Sequence, residues 1–356
     1  MRRAPRNLKI ACDHEGLTHF GGIYFFHEFL RVLQLRDFLA RHLVYPRRNH
    51  RYSSSQAVLA VVYPILLGLD RMETASFLRS NGTFQYLTGL PSFPDPQTLR
   101  RFLRHAPDHL REQLRHTNDR LLQKFILLPE RRSRLIFDLD SPVVTVFGNQ
   151  DGAEVGYNPR YHGKCNYQPL LCLEANSHFL RDAEPRPGNA GIWEGSRAML
   201  ATAFAHLPRP IREIRFRADA DFGYEALPKI VETGGVECAV VVRMMPGLKR
   251  QLPDLRYQPA SARWECAEGE FHAQGWSRAR RIVVVRRLIE EHDPQPTLFA
   301  KGRYVYRAWA TNRDLTPPGV LHFYDGRAGV ELRIHELREA FALRKIPIGP
   351  MPCTWN

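Results

Sequence analysis

The chain has 356 residues, with 51 lysines and arginines against 37 aspartates and glutamates, a formal net charge of +14 and an isoelectric point near 9.8. Its length permits two or three domains, and 25% charged with 44% hydrophobic residues is a globular balance that argues against a disordered or membrane-embedded chain. The excess of positive charge favours a polyanionic partner, nucleic acid first among them.

Only seven of the basic residues are lysine, so the basic surface is almost all arginine, whose planar fork suits bidentate phosphate contacts. The N-terminus is basic but lacks the apolar core and small-residue cleavage site of a signal peptide. The six cysteines form no C-x-x-C pair and no zinc spacing. The longest apolar run, Ala57 to Leu69, is too short to span a bilayer. A reduced, cytoplasmic protein with no membrane partner is expected.

Residues from about Gly21 to Leu128 read as helices. Phe25, Phe29, Leu30, Val32 and Leu33 recur at helical spacing, Ser53-Ser-Ser-Gln56 is a capping sequence, and Pro94-Asp-Pro-Gln97 is a turn entering a basic helix with Arg100, Arg101 and Arg104. From Arg134 the period becomes that of strands: Leu135–Asp140, Val143–Phe147, Leu170–Ala175 and His178–Ala183. A helix is expected around Gly195–His206, a strand at Glu213–Arg217, a helix around Tyr224–Glu232 and a strand at Val236–Arg243. This order predicts an α/β fold with a mixed sheet and helices on both faces. The stretch Arg256–Asn312 is again strand-rich and carries Trp264, Trp276 and Trp309.

Two acids close strands in this reading. Asp140 ends the first strand of the α/β region, with Asp138 two residues before it, and Asp219 ends a later one, with Asp221 two residues after it. Sites in open sheets gather at strand ends. In Tyr324-Asp-Gly-Arg-Ala-Gly-Val-Glu-Leu-Arg-Ile-His-Glu-Leu-Arg338, a single helix would bring Tyr324, Arg327, Glu331 and Arg338 within roughly 60° of one another at about 100° per residue. Val330, Ile334, Leu337 and Phe341 would form its buried stripe. Asp140, Asp219 and Glu331 would then converge. Carboxylates that close repel unless divalent cations sit among them, and hard oxygen ligands suit Mg²⁺ or Mn²⁺.

These residues carry a resemblance. The chain resembles a bacterial insertion-sequence transposase of the DDE type, in the group marked by Tyr-x2-Arg-x3-Glu-x6-Lys. The likeness runs from about Gly21 to Pro347, through Phe137-Asp-Leu-Asp-Ser141, Gly148-Asn-Gln150, Gly156-Tyr-Asn-Pro159, Arg186-Pro-Gly188, Arg217-Ala-Asp-Ala-Asp-Phe222 and Trp309-Ala-Thr-Asn312. It implies an RNase H-like mixed sheet preceded by a helical N-terminal domain and interrupted by a β-rich insertion. The implied domains are a DNA-binding 1–130, a catalytic domain begun by 131–245, an insertion at 246–312, the final catalytic helix region at 313–347 and an atypical tail at 348–356. It implies Asp140, Asp219 and Glu331 as catalytic residues and ligands of two Mg²⁺ or Mn²⁺ ions, with Asp138 the alternative to Asp140. Tyr324, Arg327 and Arg338 would contact DNA, and an insertion tryptophan would stack on an extruded base. The partners implied are duplex DNA at terminal inverted repeats and at the target, with a homodimer assembled on DNA and a nucleoid-associated location.

Two departures stand out. Arg338 occupies the lysine position, and a guanidinium does not replace an ammonium freely at a tight phosphate contact. After Pro347 further helical sequence is expected, whereas Ile348–Asn356 has neither helical period nor strand alternation, as a frameshift or premature stop would leave it. The alternative to an active transposase is therefore a truncated, non-catalytic DNA-binding remnant. A metal-free hydrolase using Asp140 and Asp219 as acid and base is a further rival.

Overall fold

The computed structural model describes residues 19–45, 51–69, 71–88, 90, 92–125, 134–205, 207, 211, 213–223, 235–289, 300–301, 303–341 and 343. The helix expected around Tyr224–Glu232 and the 348–356 tail lie outside them. Two compact units emerge: one from Met1–Lys124, Val144–Tyr167 and His335–Asn356, the other from Phe125–Val143 and Gln168–Ile334.

In the first unit, helices α1 (Ile23–Val32), α2 (Leu35–His42), α3 (Ser54–Leu66), α4 (Gly82–Thr88), α5 (Pro96–Arg104) and α6 (Asp108–Phe125) follow one another. Their starts are written in the sequence. The Ser53 hydroxyl accepts from the Gln56 N–H while the Gln56 side chain accepts from the Ser53 N–H, closing a capping box on α3. Asp95 caps α5 by accepting from the Gln97 N–H at 2.9 Å, with Pro96 in the first turn. Tyr63, Phe84, Phe93, Leu99 and Phe102 are buried together in the helical core. Arg101 and Arg104 face solvent, while Arg100 pairs with Glu73. A small sheet of β2 (Val144–Thr145), β3 (Glu154–Val155) and β4 (Cys165–Tyr167), in the order β2-β4-β3, belongs to the same unit.

The second unit is built on one large sheet. Its strands are β1 (Arg134–Asp140), β5 (Leu170–Glu174), β6 (Phe179–Glu184), β7 (Glu213–Ala218), β8 (Val236–Val241), β9 (Gln258–Pro259), β10 (Glu265–Phe271), β11 (Arg280–Leu288), β12 (Ala300–Lys301) and β13 (Tyr304–Thr311). The order is β6-β5-β1-β7-β8-β13-β11-β10-β9, with β12 on β13. β1, β7 and β8 are parallel neighbours, and the other pairings are antiparallel. The strand-rich stretch after β8 therefore interrupts the pattern only in sequence. In space β13 pairs with β8 and carries the same sheet onward.

Alternation along the strands assigns the two faces. On one, Leu135, Phe137, Leu139, Phe216, Ala218, Cys238 and Val240 pack with Met199, Leu200 and Ala203 of α7 (Ile192–Ala205) and with Leu248 of α8 (Pro246–Gln251). On the other, Ala239, Val283, Val285 and Trp309 pack with Val320, Leu321, Phe323 and Tyr324 of α9 (Pro317–Asp325). Trp309 and Trp276 are core residues, 1% and 5% exposed, so neither presents a face to a base. Trp264 is half-buried and has the Arg287 and Arg307 guanidiniums over its ring.

The signature segment departs from expectation. It is two helices: α9 ends at Asp325, and α10 (Ala328–Glu339) begins two residues beyond the intervening Gly326. The Arg327 N–H donates to the Tyr324 carbonyl at 2.8 Å and the Val330 N–H to the Arg327 carbonyl at 2.9 Å, a three-residue tightening at the junction of the two helices. Val330 and Ile334 are buried as expected, but Phe341 is exposed.

Candidate phosphoryl-transfer site

The β1–β7 register pairs Asp138 with Arg217 and Leu139 with Ala218, a constant offset of 79 residues. The same offset separates Asp140 from Asp219, so the two acids are the next positions in register at the carboxyl ends of parallel neighbours. Strands lie about 4.8 Å apart, which sets the scale of the separation of the acids. Both acids are largely buried. Burial pushes the Asp140 carboxyl above its ordinary value, Arg327 pulls it back, and Glu331 adds a smaller upward push. Asp219 is pushed up to about 6 by burial first, with Arg327 opposing and Asp140 and Asp221 reinforcing. Among the described residues its carboxylate accepts one hydrogen bond, from the Asp221 N–H at 3.0 Å.

Arg327 is the counter-charge to this pair. One terminal nitrogen donates to the Leu139 carbonyl at 2.8 Å and to Asp140 Oδ1 at 3.0 Å. Burial works against its charge, but Tyr324 and the carboxylates of Asp140, Asp219 and Asp138 hold its pKa above the ordinary value. Its Nε is buried without a hydrogen-bond partner. Tyr324 lies beside Trp309, ring centroids 5.5 Å apart, and burial pushes its phenol up to about 12. At neutral pH it is a proton donor.

A residue that sequence reasoning passed over holds this arrangement in place. Arg217 donates from Nε and Nη2 to the two oxygens of Asp138, both at 2.7 Å, and from Nη1 to the Phe323 carbonyl at 2.7 Å. One guanidinium thus ties β1 and β7 to the end of α9. A Cβ on Gly326 would stand 2.5 Å from Arg217 Nη1, so glycine is needed for this approach. The signal was present as Asp-x-Asp and Arg-x-Asp, whose first members meet in register. Asp138, fully buried with both oxygens taken by Arg217, is thereby set apart from Asp140. Asp221 is exposed and pairs with Arg243.

Arg186 fastens the start of the loop after β1. Its guanidinium donates to Ser141 Oγ at 3.2 Å and to the carbonyls of Gln168 and Gly191. The Arg186-Pro-Gly turn is thus a buried anchor.

Glu331 is exposed in the first turn of α10. Arg338, half-buried in the last turn of that helix, belongs to the other unit. Among the described residues no three His, Cys, Asp or Glu side chains gather closely enough to hold one ion. The two aspartates and Glu331 nevertheless share an electrostatic field, since Asp219 senses Asp140 and Asp140 senses Glu331. Hard oxygen donors, one carboxylate held by a single backbone N–H, and a raised pKa all fit a divalent cation.

Side-by-side acids at strand ends, with a buried guanidinium against the first, make a candidate centre for charge-stabilised chemistry. The chain belongs to the DDE transposases, mobile-element proteins of DNA recombination: its sequence matches the family of the transposase DDE domain group 1 over residues 3–351. No curated protein matches it. Among solved structures it is similar to a piggyBac transposase in a synaptic complex with hairpin DNA, at 13% identity and TM-score 0.42, covering 89% of this chain and 68% of that one. It is also similar to the Mos1 transposase in a strand transfer complex, at 12% identity and TM-score 0.21, over 55% of this chain and 60% of that one. A Mos1 mariner paired-end complex with Mn matches at 10% identity and TM-score 0.21, over 63% of this chain and 68% of that one. No helix among the described residues is long and apolar enough to cross a membrane.

Proposed function

We propose that the chain is a DNA transposase that cleaves phosphodiesters at the ends of its element and transfers the freed 3′-hydroxyl to target DNA. The observation that carries this reading is the pair Asp140 and Asp219 at the carboxyl ends of parallel strands, with Arg327 against the first. Asp140, Asp219 and Glu331 would hold two divalent cations, Mg²⁺ or Mn²⁺. When bound, these would activate the attacking oxygen and neutralise charge at the departing one. Arg327 offers a permanently charged donor beside the acids, a group suited to a phosphate oxygen. Tyr324, protonated at neutral pH, donates its phenolic proton to a phosphate without competing for it. Arg338 adds positive charge at the far end of α10. Catalysis in this reading is positioning plus charge stabilisation.

The helical region up to residue 130 would read the terminal inverted repeats, and residues 131–245 with 313–347 would form the catalytic domain. Work on two ends calls for a homodimer on DNA, at the nucleoid. The test is strand cleavage on a duplex carrying the element's terminal repeat, with Mg²⁺, with EDTA and with Glu331→Ala. Nicking at the repeat boundary that needs metal and is lost in the variant is expected. Salt-sensitive binding without cleavage in Mg²⁺ or Mn²⁺ would favour a non-catalytic DNA-binding role, and cleavage surviving EDTA a metal-free hydrolase.

A further inference from the structure

The small sheet of the first unit presents an aromatic and basic surface to solvent. Beneath it Val144, Val146 and Tyr167 are buried with Leu343 packed against them, so its inner side is occupied. Beside it Phe147, Tyr157 and Tyr161 are 72%, 70% and 38% exposed. Phe147 and Tyr161 meet edge to face with ring centroids 5.2 Å apart. The Arg160 guanidinium carbon sits 5.5 Å from the Tyr161 ring centroid.

This surface is built, not a loose loop. Asn158 is buried: its amide donates to Thr145 Oγ1 at 2.9 Å, and its Oδ1 accepts from the N–H groups of Arg160 and Tyr161. The Lys164 N–H donates to the Tyr161 carbonyl, and Gly163, at φ +74°, supplies the left-handed residue that this turn requires. The strap Tyr157-Asn-Pro-Arg-Tyr-His-Gly-Lys164 contains Arg160, His162 and Lys164, all exposed, and no acid; Asp151 and Glu154, also exposed, lie before it. Rings with cations interleaved complement a strand whose bases stack and whose phosphates repel each other. A protein partner would favour a core depleted of lysine.

We infer that Phe147, Tyr157 and Tyr161, with Arg160 and Lys164, form a stacking platform for unpaired bases of DNA. The inference rests on the reading that the chain works on DNA, and adds a separate site for single-stranded segments such as flanks opened at a cleaved end.

The test uses the full chain and fluorescence anisotropy with a labelled oligo-dT strand and a labelled blunt duplex of equal length. Phe147→Ala and Tyr161→Ala should each weaken single-strand binding by roughly 5- to 150-fold, with duplex affinity held within about twofold. Tyr161→Phe should restore it, since the ring and not the hydroxyl is used, and Arg160→Ala should lower the salt slope by about one. Circular dichroism melts check that the variants fold, and Tyr157→Ala is the reserve variant should one not. Unchanged single-strand affinity in the Phe147→Ala/Tyr161→Ala double variant, with duplex binding intact, overturns the platform and leaves the transposase reading standing. Loss of self-association with unchanged DNA affinity assigns the surface to a protein interface and also overturns it. A wild-type chain that binds neither probe removes both readings.

Discussion

Arg217 and Asp138 are register partners on adjacent parallel strands, joined by two hydrogen bonds of 2.7 Å in which the whole carboxylate is used. The third arm of the guanidinium reaches the Phe323 carbonyl at the end of α9. This buried pair sits two residues before each candidate catalytic aspartate, so the strand ends and the helix that follows them share one anchor.

Removing one partner leaves the other charge buried and alone. Asp138→Ala and Arg217→Ala should each destabilise the fold by about 3–5 kcal/mol, as breaking a buried ion pair does. In a double-mutant cycle by urea unfolding, the two losses should fall well short of additive. Additive losses would show that the pair is not coupled.

Asp219 should make the fold less stable at neutral pH than in acid. Its folded pKa of about 6 lies above the ordinary value of 3.8, so between these the folded chain holds more protons than the unfolded one. Stability therefore falls as pH rises from about 4 to 6 and levels off above that. Asp219→Asn should raise stability at pH 7 by about 2–3 kcal/mol, with the gain vanishing below about pH 4. Melting curves across that range read it directly.

If Asp219 is a ligand, added Mg²⁺ at pH 7 should raise the melting temperature of the wild-type chain by compensating the buried charge of its carboxylate. The rise should grow with the logarithm of metal concentration and be absent in Asp219→Asn. Equal rises in both would place the ion elsewhere.

Gly326→Ala tests close approach apart from backbone strain. Gly326 has φ −59°, which any residue adopts, so the cost lies in the contact of its new Cβ with Arg217 Nη1. A loss of about 1–3 kcal/mol is expected, and it should shrink in an Arg217→Ala background. A loss unchanged by that background would point to another cause.

Arg327→Ala should remove the counter-charge from Asp140 and abolish cleavage, if the proposed reaction is right. Arg327→Lys keeps the charge but replaces a planar guanidinium, one of whose terminal nitrogens reaches both the Leu139 carbonyl and Asp140, by a shorter point donor, and should retain only a small part of the activity. Full activity in the lysine variant would show that charge alone suffices.

Much of this protein was legible in its sequence because the physics involved is local. Alternation in Leu135–Asp140 and Glu213–Ala218 marked strands that bury Phe137 and Phe216, and Ser53 with Gln56 announced a helix start. Asp140, Asp219, Arg327 and Glu331 became candidates through strand-end and helix-face positions together with the resemblance to DDE transposases. What the sequence could not decide depends on contacts between distant segments. A helical period from Tyr324 to Arg338 does not show that one helix ends at Asp325 and another begins at Ala328, nor that Arg217 donates to the Phe323 carbonyl across 106 residues. Nor does Asp-x-Asp show which acid is structural: only the strand register sets Arg217 against Asp138 and leaves Asp140 beside Asp219. The strand-rich stretch after β8 likewise read as an interruption, and pairing of β13 with β8 made it part of the same sheet. Periodicity marked the elements, and the resemblance marked the candidate reactive groups. Long-range pairing in a buried, low-dielectric setting decided which charges meet.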